Sequence, residues 1–420
     1  MATKKLMESE FFDRIIHQLQ IRYPDSAGRF DFRALLSPLL FCPQTISLPM
    51  ALKAEAEDIV RAFSQLRRLP ARDQALSALP PVVPDPGNTS ALMSYDFHID
   101  EAEHLRLIEI NTNASMSLMV EVLHQVHGVV NPFSADFSRD ILECFKLEFA
   151  RAQPRGLSAL KTVAITDETP ESQRLYAEFV AYQELFQRAG IDAVIVDARD
   201  LFFQNDRLRL PDGRVIDLVY NRHTDFYFET PAAASLRAAM LKQAVCITPH
   251  PHEYRLLADK ERLVELARPG ALATLPLDDH SRQAIERTLI RTFSVAENAD
   301  PDSLWAERKK LFFKPMRSFG GKAAYRGASL SRRVFDEILK GQYLAQEFVP
   351  APTVKLPVPD TVPDASPDAS PDAETNVEFK FDLRFYVYDD RIQQACARLY
   401  QGQMTNSQTP GGGITVINWV

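Results

Sequence analysis

Apolar positions change their spacing along this chain several times, and each change marks a different kind of element. Up to about residue 76 they recur at helical intervals, beginning with the amphipathic run MATKKLMESEFFDRIIHQLQ; SALPPVVPDPGNTS at 77–90 then breaks the pattern with proline and glycine. From residue 91 the spacing becomes strand-like. ALMSYDFHID, a polar turn at 101–104 and LRLIEIN predict a hairpin that can bring Asp96 opposite Glu109. Then come a strand (TVAIT), a helix with Leu175, Phe179, Tyr182 and Phe186 on one stripe, Gly190 just past its end, and a second strand (DAVIVDA). This predicts a small parallel α/β domain, continued through RVIDLVYNRHTDFYF and VCITPHPHEYRLLADK to a helix beginning near Leu256 and a helical region running towards Lys310. The remainder is strand-rich α+β with glycine turns. Within it, PDTVPDASPDASPDAE has no apolar face and predicts a disordered insertion between two strands.

Several polar residues interrupt these apolar runs. Alternate strand residues share a face, so LRLIEIN ends a buried strand with Glu109 and Asn111 side by side. Packing gives no reason for that pair. With Asp96 they form an all-oxygen set suited to Mg2+ shared with substrate phosphates, although capping and hairpin polar pairs would use the same residues. In FFKPMRSFGGKAAYRG, Lys314 ends an apolar strand and Gly320, Gly321 and Lys322 follow, a combination that suits phosphate or a plain hairpin turn. It is neither a Walker loop nor the kinase glycine loop. Asp382, Arg384 and Arg398 are the charged members of an otherwise apolar hairpin turning at Asp389 and Asp390; arginine in such a sheet meets a carboxylate or a phosphate. QMTNSQTPGGG adds Asn406, Gly411 and Gly412, a backbone-donor loop or a surface turn. The histidines of TPHPHEY lack the further spaced ligands zinc needs.

Length and charge bound the class. A chain of 420 residues suggests two to three domains. No run approaches the roughly 18 apolar residues of a membrane span, and the N-terminus lacks the apolar core of a secretion signal, so it reads as mature protein. A net charge of -8 disfavours nucleic acid, and four widely separated cysteines suggest neither zinc site nor disulfide framework. A cytoplasmic protein fits best.

Taken in order, these segments resemble the ATP-grasp superfamily of carboxylate-amine ligases, specifically the circularly permuted order of eukaryotic-type glutathione synthetase. In ordinary members the E-I-N strand comes last; here IEINTNAS comes first and the chain stops soon after TPGGGITVI. The resemblance implies a permuted ATP-grasp fold with an inserted Rossmann-like parallel α/β substrate domain and an N-terminal helical layer. Its divisions are residues 1–90 (helical), 91–155 (permuted strands with metal ligands), 156–255 (substrate binding) and 256–420 (nucleotide binding, with the insertion at about 352–375). It implies Asp96, Glu109 and Asn111 as magnesium ligands. LLADK and FFKP match the family's nucleotide lysines, Lys260 and Lys314; Gly320, Gly321 and Lys322 match its phosphate-covering loop; Gln346, Glu347 and Val349 of YLAQEFV match its adenine hinge. Arg384 and Arg398 look like the pair that holds an acyl phosphate, and Arg222 of LVYNR like a substrate-carboxylate contact, with Glu168 and Gln173 as further substrate contacts. The implied activity is ATP- and Mg2+-dependent joining of a small-molecule carboxylate to an amine, with a homodimer left open. Ser318 stands where that family has a third metal-binding glutamate, which keeps a non-catalytic nucleotide-binding module as the rival reading.

Overall fold

The computed structural model describes residues 2–69, 83–297, 300–317, 323–358, 375–406 and 408–420. The PDTVPDASPDASPDAE repeat, the first part of the 77–90 break, and Ser318, Gly320, Gly321 and Lys322 lie outside the described residues. Among those described, no helix is long and apolar enough to cross a membrane.

The chain opens with α1 (Ala2–Arg22), then β1 (Ile46–Leu48) and α2 (Met50–Arg68). Helical spacing puts Leu52, Ile59, Val60, Phe63 and Leu66 of α2 on one buried stripe. β2 (Met93–Ile99) and β3 (Leu105–Asn111) form the expected antiparallel hairpin, with Asp96 opposite Glu109. After α3 (Ser117–His127) and α4 (Phe137–Ala152) come β4 (Thr162–Asp167), α5 (Tyr176–Arg188), β5 (Asp192–Asp197), the small hairpin of β6 (Phe202–Gln204) and β7 (Arg207–Arg209), β8 (Leu218–Asn221), α6 (Ala234–Leu241) and β9 (Cys246–Thr248). Strands β5, β4, β8 and β9 make a four-stranded sheet in that order, parallel throughout. Of the stripe read from the sequence, Phe179, Tyr182 and Phe186 are buried on α5, while Leu175 is half-buried at its N-cap.

Two expectations for the next stretch fail. Where the pattern put a helix start near Leu256, Tyr254–Ala258 forms a widened π turn, closed by Asp259 N–H donating to the Tyr254 carbonyl at 2.7 Å. The helix itself, α7 (Lys260–Leu266), begins only after Asp259, whose carboxylate caps it by accepting from Glu261 N–H at 3.0 Å. The helical region towards Lys310 is interrupted as well. Beyond α8 (Asp279–Thr288), β10 (Thr292–Ser294) is recruited into a sheet, a tertiary pairing that overrides local pattern. After α9 (Pro301–Glu307), β11 (Leu311–Pro315), β12 (Tyr325–Arg326), α10 (Arg332–Lys340) and β13 (Tyr343–Glu347), that sheet has the order β10, β13, β11, β12.

The C-terminal strands build the sheet that carries the polar cluster. β14 (Thr353–Val358), β15 (Thr375–Tyr388), β16 (Arg391–Tyr400) and β17 (Gly413–Thr415) join β2 and β3 in the order β17, β16, β15, β2, β3, while β18 (Ile417–Trp419) pairs with β1. The long β15 uses one edge twice: its first half pairs with β14, and Leu383 to Val387 pair with β2. Alternation then sorts the faces. Tyr95, Phe97, Leu383, Phe385, Ala397 and Leu399 pack on one side with Phe63 of α2. Ser94, Asp96, His98, Asp382, Arg384 and Arg398, at the intervening positions, share the other.

Gly413 enters β17 with φ +104, and an added Cβ would lie 2.7 Å from the Leu40 carbonyl group. Gly413→Ala is therefore expected to cost at least about 2 kcal/mol in urea unfolding, combining backbone strain with a clash against main chain. Unchanged stability would mean that the Leu40 segment yields freely.

Candidate active site

The polar cluster on the six-stranded sheet is organised around Asp96, which is 1% exposed. Arg384, its cross-strand neighbour on β15, donates from Nε at 2.9 Å and from Nη2 at 2.7 Å, and Arg398 of β16 donates from Nη2 at 3.0 Å. Asn111 adds a bond at 3.2 Å. Arg398 also gives Nε to Asp382 at 2.6 Å, and the other Asp382 oxygen accepts from the Thr405 hydroxyl at 2.5 Å. Burial alone would raise the Asp96 carboxyl, but the two guanidiniums hold it at about 2. Burial and the neighbouring Arg398 oppose the charge on Arg384, yet Asp96 keeps that guanidinium above its ordinary value.

A β-bulge connects this cluster to the second sheet. Asp96 pairs with Glu109 but the next residue, Phe97, pairs with Leu107, so Ile108 is the extra residue of β3. Its carbonyl accepts from Lys314 Nζ at 3.2 Å, and Lys314 also donates to Gln346 Oε1 at 3.0 Å. Burial pushes the Lys314 ammonium down, and Lys260 adds to that, while Glu109 and Asp96 act against it. Gln346 is buried and donates to the Thr292 hydroxyl at 3.3 Å. Glu347 is exposed, and the carbonyl of Val349 lies 2.8 Å from His98 Nδ1. Lys260 stands at the start of α7, close enough to Lys314 for their charges to interact.

The loop after β3 leads to the parallel sheet. Arg222, just beyond β8, is 7% exposed and donates to the Ala114 carbonyl at 2.8 Å, with its guanidinium over the rings of Phe179 and Tyr220. Glu168 and Gln173 lie past the end of β4. Gln173 Nε2 donates to the Glu168 carbonyl at 2.7 Å, and among the described residues neither shares a hydrogen bond with the Asp96 cluster. Asn406 is exposed and folds back on the Gln401 carbonyl at 2.9 Å. Gly412 packs against the Leu399 carbonyl, 2.6 Å from where a Cβ would stand, and Gly411 takes φ +72. The structure thus brings together Asp96, Glu109, Asn111, Lys260, Lys314, Gln346, Arg384 and Arg398. Sequence reasoning missed His98, whose signal was its position two residues from Asp96 on the same strand face, and the bulge at Ile108, which had no signal.

Among the described residues, no three His, Cys, Asp or Glu side chains converge as a metal-binding group. Glu109 and Asn111, 3.5 Å apart through the amide nitrogen, fit a Mg2+ as oxygen donors if the Asn111 amide turns its oxygen towards Glu109 and gives up its bond to Asp96. Asp96 is already committed to two guanidiniums, which makes it their anchor rather than a ready metal ligand.

No family model matches the sequence, and no curated protein matches it. Among solved structures, the glutathione synthetase-like effector of Globodera pallida in its apo form is similar with a TM-score of 0.52 and 13% identity, over 90% of this chain and 90% of that one. The chain shares the fold of that effector. Weaker likenesses are a protein from Methylobacillus flagellatus KT assigned as a γ-glutamylcysteine synthetase (TM-score 0.44, 11% identity, 88% of this chain and 86% of that one) and the ATP-grasp ligase PsnB complexed with minimal precursor (0.31, 12%, 59% and 78%).

The Asp96 carboxyl is depressed from 3.8 to about 2, so its stabilisation is complete above about pH 4 and is lost as pH falls through 2. That contribution is on the order of 2 kcal/mol. Asp96→Asn is expected to lose about 3–5 kcal/mol at pH 7, because two buried guanidiniums lose their counter-charge, and to show less further loss between pH 4 and 2 than the parent. Urea unfolding across that range checks both statements.

Proposed function

We propose that this protein is an ATP- and Mg2+-dependent carboxylate-amine ligase that works through an acyl phosphate. The observation that carries the reading is the half-buried array of Arg384 and Arg398 on one sheet and Lys314 on another, next to Glu109 and Asn111. The fold shared with a glutathione synthetase-like effector supports it, as does the pairing of β2 with β15, 288 residues apart at Asp96 and Arg384, which suits the permuted order of ATP-grasp parts.

In this reading a substrate carboxylate oxygen attacks the γ-phosphorus of ATP, and the bond to the leaving ADP oxygen breaks. The amine nitrogen of the second substrate then attacks the acyl carbon, phosphate departs, and the amine's proton passes to solvent. Magnesium, when held by Glu109 and Asn111, supplies charge neutralisation of the phosphates. Lys314 and Lys260 contribute positive charge on the nucleotide side, with Gln346, Glu347 and Val349 along the base-binding edge. Gly320, Gly321 and Lys322 are assigned to the phosphates by resemblance alone. Arg384 and Arg398, oriented by Asp96 and Asp382, face the charge that develops on the transferred phosphoryl group and need no reorganisation to do so. Arg222, with Glu168 and Gln173 nearby, binds the acid substrate, and the Asn406 to Gly412 segment borders the arginine side through Thr405.

The rival reading, a nucleotide-binding module without chemistry, rests on Ser318, which stands where the resemblance has a third metal-binding glutamate. The two separate cleanly. Phosphate release from Mg-ATP, measured over a panel of carboxylates with amines that includes γ-glutamylcysteine with glycine, is expected to require both substrates and to fall at least about 100-fold in Lys314→Ala. Thermal stabilisation by Mg-ATP with no phosphate release from any pair would establish the binding module instead.

A further inference from the structure

The loop that follows Asn111 carries its own clamp. Met116 has φ +70, a strained left-handed conformation for a non-glycine residue, and α3 starts directly after it. A strained residue persists only where its surroundings over-determine it. Here the determinant is Glu178 on α5, 1% exposed, whose carboxylate accepts from Met116 N–H at 2.8 Å, Leu118 N–H at 3.2 Å and the Ser117 hydroxyl at 3.0 Å. Tyr386 donates to the Ser115 carbonyl at 2.6 Å and Gln394 to the Ser117 carbonyl at 2.7 Å, both from the sheet that bears the arginines. The loop is therefore pinned from two sides. Its alternate residues Asn111, Asn113 and Ser115 are left half-buried, while Thr112, Ala114 and Met116 are buried.

We infer that Glu178 is a positioning residue for the site: it fixes the loop after β3 so that Asn111, at its start, and Asn113 and Ser115 within it hold their places beside Glu109. The part concerning metal rests on the ligase reading above; the part concerning the loop does not. Glu178 touches no reacting atom in this arrangement; it acts through the backbone and the Ser117 hydroxyl it holds, and its charge also bears on Arg222. Glu184 provides the comparison. It lies on the same helix, is fully buried, and likewise accepts main-chain bonds, from Ser26 N–H at 2.7 Å and Asp25 N–H at 3.4 Å, but it holds the N-terminal helices rather than the loop.

The test compares Glu178→Gln with Glu184→Gln in the full chain. Hydrogen exchange without ligand is expected to rise at the Met116 and Leu118 amides in the first variant only. Titrating Mg2+ at fixed ADP and following melting temperature, the half-saturating Mg2+ is expected to rise about tenfold or more in Glu178→Gln, with the response to ADP alone unchanged, and to stay within about twofold in Glu184→Gln. If Glu184→Gln shifts the Mg2+ response equally, general loosening explains the effect and the inference falls. Unchanged exchange at Met116 and Leu118 in Glu178→Gln also overturns it. If the parent protein shows no Mg2+ response at all, the ligase reading fails by itself, and the exchange data alone decide whether Glu178 sets the loop.

Discussion

The arrangement turns on one electrostatic compensation: the Asp96 carboxylate, buried between Arg384 and Arg398. Removing charges from water costs several kcal/mol per ion, and attraction offsets that cost only where geometry is good and the remaining polar atoms are bonded. Here Arg384 meets the carboxylate through two nitrogens, Arg398 is shared with Asp382, and Asp382 is in turn bonded by Thr405. Because Asp96 lies on β2 and the arginines on β15 and β16, the compensation exists only when the N-terminal hairpin has added to the C-terminal strands. Sheet and site therefore form in the same step.

That coupling extends to the second sheet through main chain. The bulge at Ile108 keeps Glu109 opposite Asp96 while leaving a carbonyl for Lys314, so a one-residue irregularity links the carboxylate cluster to the lysine on β11. A side chain in place of that carbonyl would have to be held in one rotamer; a backbone acceptor in a sheet is already fixed. The His98 contact with the Val349 carbonyl is a second such tie, joining the same strand to the segment just after β13.

Much of this was legible in the sequence because it depends on local periodicity. The β2 and β3 hairpin, the stripe on α5, the turn at Asp389 and Asp390 and the polar face shared by Glu109 and Asn111 all follow from periods of 2 and 3.6. What stayed hidden depends on pairing between distant segments. No helical or strand period marks off Thr292–Ser294 within the stretch read as helical, and its pairing with β13 makes it a strand. The start of α7 was misplaced because the apolar run at Tyr254–Ala258 has helical character, whereas the cap that sets the boundary is Asp259. The chemistry of Asp96 suits a cation, and its meeting with Arg384 is set by register against β15, where a one-residue slip would turn Arg384 to the opposite face.

The distribution of charge bears on what the site can hold. Arg384, Arg398, Lys314 and Lys260 gather near Asp96, Asp382 and Glu109 in a protein whose net charge is -8. Asp96 and Asp382 serve the arginines on the six-stranded sheet, whereas the charge of Glu109 bears on Lys314. Lys314, on the other sheet, donates among the described residues to two neutral oxygens, the Gln346 amide and the Ile108 carbonyl; burial lowers its affinity for a proton, against the opposing charges of Glu109 and Asp96. A buried ammonium held by neutral acceptors gains most from an incoming anion, because the low-dielectric surroundings that penalise its charge also strengthen any attraction to a counter-charge. The same burial that weakens the lysine alone thus makes this edge of the site favour an anion over the water it would displace.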